Sequence, residues 1–433
     1  MILKFINADQ KNCMKKIKLI LNKRKINSDS NLQIVKKILL DVKKNKDKAL
    51  FKYEKKFSKL RKIDKKDIVF SKSELNFILK KLNKKTKNSI DLAFKRIYNF
   101  HKFQKFKPYK IIDKYKNETS YYSSPIDKVG VYVPGGTASY PSSVLMNCIP
   151  AMIAGVKNIY MTTPSIGKKY NPAIIYAAKK CKVKEIYKVG GAQAIAALTY
   201  GTNSIKKVNK IVGPGNEFVA LAKKEVFGEV GIDMIAGPSE VTIFADKFSN
   251  PKFIAADLIA QAEHDYYAQS ILITNDKKMI KKVDIFLNEQ IKKLPRKKIA
   301  LKSLKLFGIA IYSKNLKKLI NIINEIAPEH LEILIKKPKK ILKKISSAGS
   351  IFIGENSPEA MGDYIAGTNH VLPTSGSAKF SSGLSVYDFV KRHSLIKITK
   401  SGIERLGPSV INLSKYENLE GHANSIKLRL KKE

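Results

Sequence analysis

From residue 129 onward the chain repeats one pattern: a short apolar run, a turn containing glycine or proline, then a helical stretch. Val129-Gly-Val-Tyr-Val133 stops at Pro134-Gly-Gly136, and Asn158-Ile-Tyr-Met-Thr-Thr163 stops at Pro164. Glu185-Ile-Tyr-Lys-Val189 runs through Gly190-Gly191 into an alanine-rich helix, and Lys210-Ile-Val212 runs into Gly213-Pro-Gly-Asn216. Val241–Ala245, Ser270–Thr274 and Gly308–Tyr312 continue the rhythm in a second unit. Strand and helix in alternation predict an α/β fold with parallel sheets covered on both faces. Residues 1–120 read as mainly helical. The stretch Asn31–Val42 has apolar residues at helical spacing, and Ser71-Lys-Ser-Glu74 is a capping-box pattern. The segment from residue 375 is less regular and is expected to end in a polar helix from Ser414 onward.

A chain of 433 residues can hold two or more domains, each with a sizeable core. No apolar run is long enough to span a membrane, and the N-terminus lacks a signal-peptide pattern. Cys13, Cys148 and Cys181 lie far apart and in no metal spacing, as reduced thiols of a cytoplasmic protein would. The net charge of +47 raises the nucleic-acid-binding class. The excess is almost all lysine, spread along the chain beside many Ile and Asn residues, and basic motifs interleaved with aromatics are missing. That composition is what an A+T-rich coding sequence tends to produce, so no specific nucleic-acid partner is expected.

Chemistry concentrates in four short polar segments, which carry four of the six histidines. They are Gln261-Ala-Glu-His264, Pro328-Glu329-His330, Gly362-Asp363 through His370, and Glu417-Asn-Leu-Glu-Gly-His422. Gln261 and His264 are three apart, so on a helix both reach one face. Imidazole, carboxylate and amide oxygen suit a borderline divalent ion, with zinc the first choice. Such ligands come from distant segments, so folding must assemble the site. Pro328 followed by Glu329 is expected to open a helix. An adjacent carboxylate and imidazole can also serve one carbon as two separate bases. No Gly-x-Gly-x-x-Gly follows the strands. What remains for a dinucleotide is glycine at strand-to-helix turns, where a phosphate could approach backbone N–H groups.

Several longer motifs occur in one order: Tyr132-Val-Pro-Gly-Gly136, Val189-Gly-Gly-Ala-Gln-Ala-Ile-Ala-Ala197, Gly213-Pro-Gly-Asn216, Ala236-Gly-Pro-Ser-Glu240 and Gly367-Thr-Asn-His-Val-Leu-Pro-Thr374. Together with the four polar segments they resemble the histidinol dehydrogenase family from about residue 125 to the C-terminus. The first hundred or so residues resemble it only in length and helical character. The resemblance implies oxidation of L-histidinol to L-histidine through L-histidinal, with two NAD, as the last step of histidine biosynthesis. It implies one zinc per subunit, held by Gln261, His264, Asp363 and His422. It makes His330 the base in hydride transfer and Glu329 the group that activates water. Substrate contacts would be Ser239, Gln261, His264, His330, Asp363, His370, Glu417 and His422, and NAD contacts Tyr132, Gln193 and Asn216.

The implied fold is two incomplete Rossmann-like domains with parallel sheets, plus small, mainly helical N- and C-terminal pieces. Residues 1–26 would form the N-terminal piece. Residues 27–128 and 243–374 would form a discontinuous domain carrying metal and catalytic residues, and 129–242 an inserted NAD-binding domain. Residues 375–433 would reach the partner subunit of a homodimer whose active site is shared. Two rivals stay open. One is a related zinc- and NAD-dependent dehydrogenase acting on another amino or sulfonated alcohol. The other is a basic nucleic-acid-binding protein without catalysis, which predicts salt-sensitive binding and against which the intact residue set argues.

Overall fold

The computed structural model describes residues 1–24, 29–58, 63–135, 140–164 and 170–431. The expected boundary at residue 26 and Gly136 of the Pro134-Gly-Gly turn lie outside them. In chain order the strands are β1 (Lys4–Asn7), β2 (Tyr109–Ile112), β3 (Glu118–Pro125), β4 (Lys128–Tyr132), β5 (Asn158–Thr162), β6 (Glu185–Tyr187), β7 (Lys210–Val212), β8 (Gly231–Ile232), β9 (Glu240–Ala245), β10 (Gln269–Thr274), β11 (Ile309–Tyr312), β12 (His330–Ile333), β13 (Ser350–Ile353) and β14 (Val390–Lys397). They form two wholly parallel sheets, β1-β11-β10-β9-β12-β13 and β6-β5-β4-β7-β8, and an antiparallel sheet β14-β3-β2. The α/β architecture with parallel sheets and mainly helical ends is the one expected.

Every residue of β9 and β10 is buried, as parallel strands covered on both faces require. Side chains alternate between faces. Val241, Ile243 and Ala245 meet the helices Pro251–Ala262 and Lys277–Ile291, while Phe244, Ile271 and Ile273 meet Leu316–Ile326. Register then places His330 and Glu332 of β12 on the Val241 face, beneath the helix Pro251–Ala262. The long helix Asp29–Phe57 packs on the helices Gly191–Tyr200 and Glu217–Val226 and buries Val35, Ile38, Val42 and Leu50 there.

Two expectations change. The tail is two helices, Lys400–Tyr416 and Glu420–Leu430, packed on each other, rather than one from Ser414. The break falls at Asn418 (φ 61°), a residue type that tolerates left-handed backbone better than most. The antiparallel sheet joins residues 109–125 to 390–397, a pairing between distant segments that local sequence pattern does not announce.

Candidate active site

Pro328-Glu329 stops a helix rather than opening one. The helix Leu316–Ile326 ends at Ala327 in a left-handed conformation (φ 49°), and β12 begins at His330. Proline just past such a C-cap cannot continue the helix. This junction buries Glu329 and His330 side by side at the C-terminal end of the helix and the start of the strand. Both are held by the backbone of Glu240, the first residue of neighbouring β9. Its N–H donates to Glu329 Oε2 at 2.8 Å, and its carbonyl lies 2.9 Å from His330 Nδ1. A carbonyl only accepts, so Nδ1 carries the proton and Nε2 presents its lone pair. Nε2 is buried, has no hydrogen-bond partner among the described residues, and lies 3.8 Å from Asp363 Oδ1. Burial lowers the proton affinity of His330, although Asp363 pulls it back up. The result is a neutral imidazole with a free basic nitrogen. Burial, and then the nearby Glu240 carboxylate, push the Glu329 carboxyl well above the usual range.

A cavity of about 750 Å³ opens over this pair, a size suited to a small molecule with its cofactor fragment. Segments at the ends of strands of both parallel sheets line it: Pro214, Gly215 and Asn216 on one side, Ser239, Glu329 and His330 on the other. Asp363 and His370 complete the wall; His370 Nδ1 donates to the Asp363 carbonyl at 2.9 Å, and burial lowers its proton affinity too. The helix carrying Gln261 ends at Ala262. His264 follows in the closing turn, its N–H 3.2 Å from the Gln261 carbonyl, and lines the cavity. Gln261 lies fully buried beneath. With its amide nitrogen turned to Glu359 it donates at 2.7 and 3.1 Å, which turns its oxygen the other way. His330, Glu359 and Asp363 each offer a ligand atom, all within 4.8 Å of one another.

The donor set fits a divalent ion on geometry within this chain. Of the expected ligands, His264 and Asp363 line the cavity and Gln261 lies buried against Glu359, which clusters with Asp363; imidazole, carboxylate and amide oxygen are a donor set that suits a divalent ion. His422 and Glu417 do not join them: both are exposed on the C-terminal helical piece and outside the cavity lining. Of the expected dinucleotide contacts, Asn216 caps the helix Glu217–Val226 and lines the cavity. Tyr132 and Gln193 are buried behind it. The Tyr132 hydroxyl accepts from Gly191 N–H at 3.0 Å, and Gln193 Nε2 donates to Glu54 at 2.7 Å. The turn before Asn216 needs glycine: Gly213 sits at φ 113°, and a Cβ there would lie 2.1 Å from the Tyr132 carbonyl oxygen. Its N–H donates to Asp233 at 2.8 Å and its carbonyl accepts from Lys223 at 3.0 Å, with Lys223 and Asp233 paired and buried.

Sequence reading missed Glu240 and Glu359. Glu240 stands inside the Ala236-Gly-Pro-Ser-Glu motif but works through its backbone. Glu359 is four residues before Asp363 on the short helix Glu359–Tyr364, so both reach one face; that spacing was the available signal.

The family model described as histidinol dehydrogenase matches residues 21–430. The chain is 54% identical over 432 residues to a histidinol dehydrogenase of Pelagibacter ubique, covering 100% of each. It is 48% identical over 401 residues to that of Clostridium acetobutylicum, covering 92% of each. Among solved structures it matches a histidinol dehydrogenase from Elizabethkingia anophelis with a TM-score of 0.93 at 39% identity, covering 99% of this chain and 98% of the other.

Proposed function

The chain belongs to the histidinol dehydrogenase family, and from that premise we propose that it oxidises L-histidinol to L-histidine through L-histidinal, reducing two NAD. The observation that carries this reading is the bare Nε2 of His330 beside the Glu329 carboxyl, both facing one cavity. In each half-reaction His330 Nε2 accepts the proton of the hydroxyl borne by the carbon that loses hydride, and gives it up to solvent before the next. Its Nδ1–H stays on the Glu240 carbonyl and keeps the ring in the tautomer that leaves Nε2 basic. Between the halves, Glu329 takes a proton from the water that adds to the aldehyde. The Glu240 N–H on Oε2 fixes that carboxyl at the cavity wall.

Zinc, one per subunit, would be held by Gln261, His264, Asp363 and a His422 supplied by a second copy, and would fix the imidazole and amino nitrogens of the substrate. NAD would supply the hydride acceptor, with Asn216 at the cavity wall and Tyr132 and Gln193 buried behind it. His370, Ser239 and Glu417 would meet the polar groups of the substrate. A homodimer follows because Glu417 and His422 lie outside the cavity of their own chain. The same tail and the antiparallel sheet also expose Leu413, Tyr416, Leu428, Ile111 and Ile396. No described helix is long and apolar enough to cross a membrane.

The test is a substrate panel: purified protein, zinc and NAD are mixed with L-histidinol or with other amino and sulfonated alcohols, and absorbance of NADH is followed. Turnover with L-histidinol well above every alternative is expected. Preference for another alcohol moves the chain to a related dehydrogenase activity.

A further inference from the structure

We propose that Arg24 is a positioning residue for both bases, acting through residues 238–240; this rests on the reading above. Arg24 is buried at the cavity wall, and all five N–H groups of its guanidinium have acceptors. Nε donates to the Tyr267 carbonyl at 2.7 Å. Nη1 donates to Glu240 Oε1 at 2.8 Å and to Gln269 Oε1. Nη2 donates to the carbonyls of Pro238 at 2.8 Å and Ser239 at 3.2 Å. One side chain from the N-terminal segment therefore fixes three consecutive residues. The third of them holds Glu329 through its N–H and His330 through its carbonyl, and the second is the expected substrate contact Ser239. The Glu240 carboxylate also accepts from Ser375 N–H at 3.0 Å, which ties in the segment after His370.

The choice of arginine carries information. The chain has seven arginines among 83 basic residues and uses lysine almost everywhere a cation is wanted. An ammonium has three donors around one point and cannot reach carbonyls on two sides and a carboxylate together. Because Glu240 does its work with backbone atoms, a shift of this segment moves both bases at once. That distinguishes Arg24 from a residue that merely fastens the N-terminus to the sheet.

The experiment compares wild type with Arg24→Lys and Arg24→Ala, all with zinc. It measures thermal midpoint, KM for NAD, and kcat for L-histidinol and for L-histidinal. Arg24→Lys keeps the charge beside Glu240, so it should fold. Its kcat should fall by roughly tenfold to a hundredfold on both substrates, the scale of an ångström-sized misplacement, with KM for NAD unchanged. Methylguanidinium should restore part of the kcat of Arg24→Ala, whereas methylammonium should not. A lowered midpoint with wild-type kcat per folded molecule, or loss of activity in only one half-reaction, overturns the positioning role. Wild type that makes no NADH from histidinol overturns the functional reading itself and this inference with it, so the two failures are told apart in one series.

Discussion

At the scale of single residues, Glu329 and His330 are neighbours in sequence, held by the N–H and the carbonyl of the same Glu240, but burial acts on them in opposite directions. His330 is kept neutral with Nε2 free; Glu329 is held with its carboxyl favouring the protonated form. Only the aldehyde half needs an activated water. Glu329→Gln should therefore cut kcat on histidinal by about 10²–10⁴-fold, the usual contribution of a general base, and slow the first oxidation far less. A raised carboxyl is the active base only above its own midpoint. Histidinal oxidation should thus decline, as pH falls, around a midpoint well above 4.5, the ordinary value for glutamate. Equal damage to both halves, or a midpoint near the ordinary value, contradicts the assignment. Glu329 and His330 were legible in sequence because imidazole and carboxylate announce themselves by type. Glu240 and Arg24 were not: the first acts through backbone atoms, and the second sits in a lysine-rich run that reads as solvated surface.

At the scale of elements, β12 lies between β9 and β13 with Glu332 fully buried on the same face as His330. Glu332 Oε1 accepts from Glu359 N–H at 2.7 Å, and the carboxyl faces that of Asp257 on the helix above. Burial, then the charge of Asp257, push Glu332 up to about 9. A carboxyl raised in the folded state contributes stability that is whole below its unfolded value of 4.5 and is lost as pH rises through about 9. The thermal midpoint of metal-free protein should accordingly fall across that window. Glu332→Gln keeps an acceptor for Glu359 and a donor for Asp257 but cannot ionise, so its midpoint should fall less, by several degrees at pH 9 on the usual scale of about 2–4 °C per kcal/mol. Parallel slopes for the two proteins would rule out Glu332 as the cause. The repeating strand-turn-helix units were legible because apolar runs end at glycine or proline. β1, β3 and β14 were not, since pairing between residues hundreds apart decides them, and β2 joins that sheet only through β3. The Pro328 junction was misread because proline serves equally at the first turn of a helix and just past its end.

At the scale of the whole molecule, the body holds the cavity and both bases, while Glu417 and His422 sit exposed on the tail of the same chain. If the tail completes a second copy's site, His264→Asn and His422→Asn, each inactive alone, should complement. Co-refolding equal amounts makes about half the dimers mixed, each with one intact site of two, so activity should return to roughly a quarter of wild type. No recovery despite proven mixed dimers would place each site within one chain. The measurement that bears most directly on the central claim is stoichiometric. With zinc and excess NAD, a limiting amount of L-histidinol is run to completion, and NADH and L-histidine are counted. The proposed two-base site predicts two NADH and one histidine per histidinol, without accumulation of aldehyde. One NADH per histidinol with free histidinal accumulating, or no NADH at all, would contradict it.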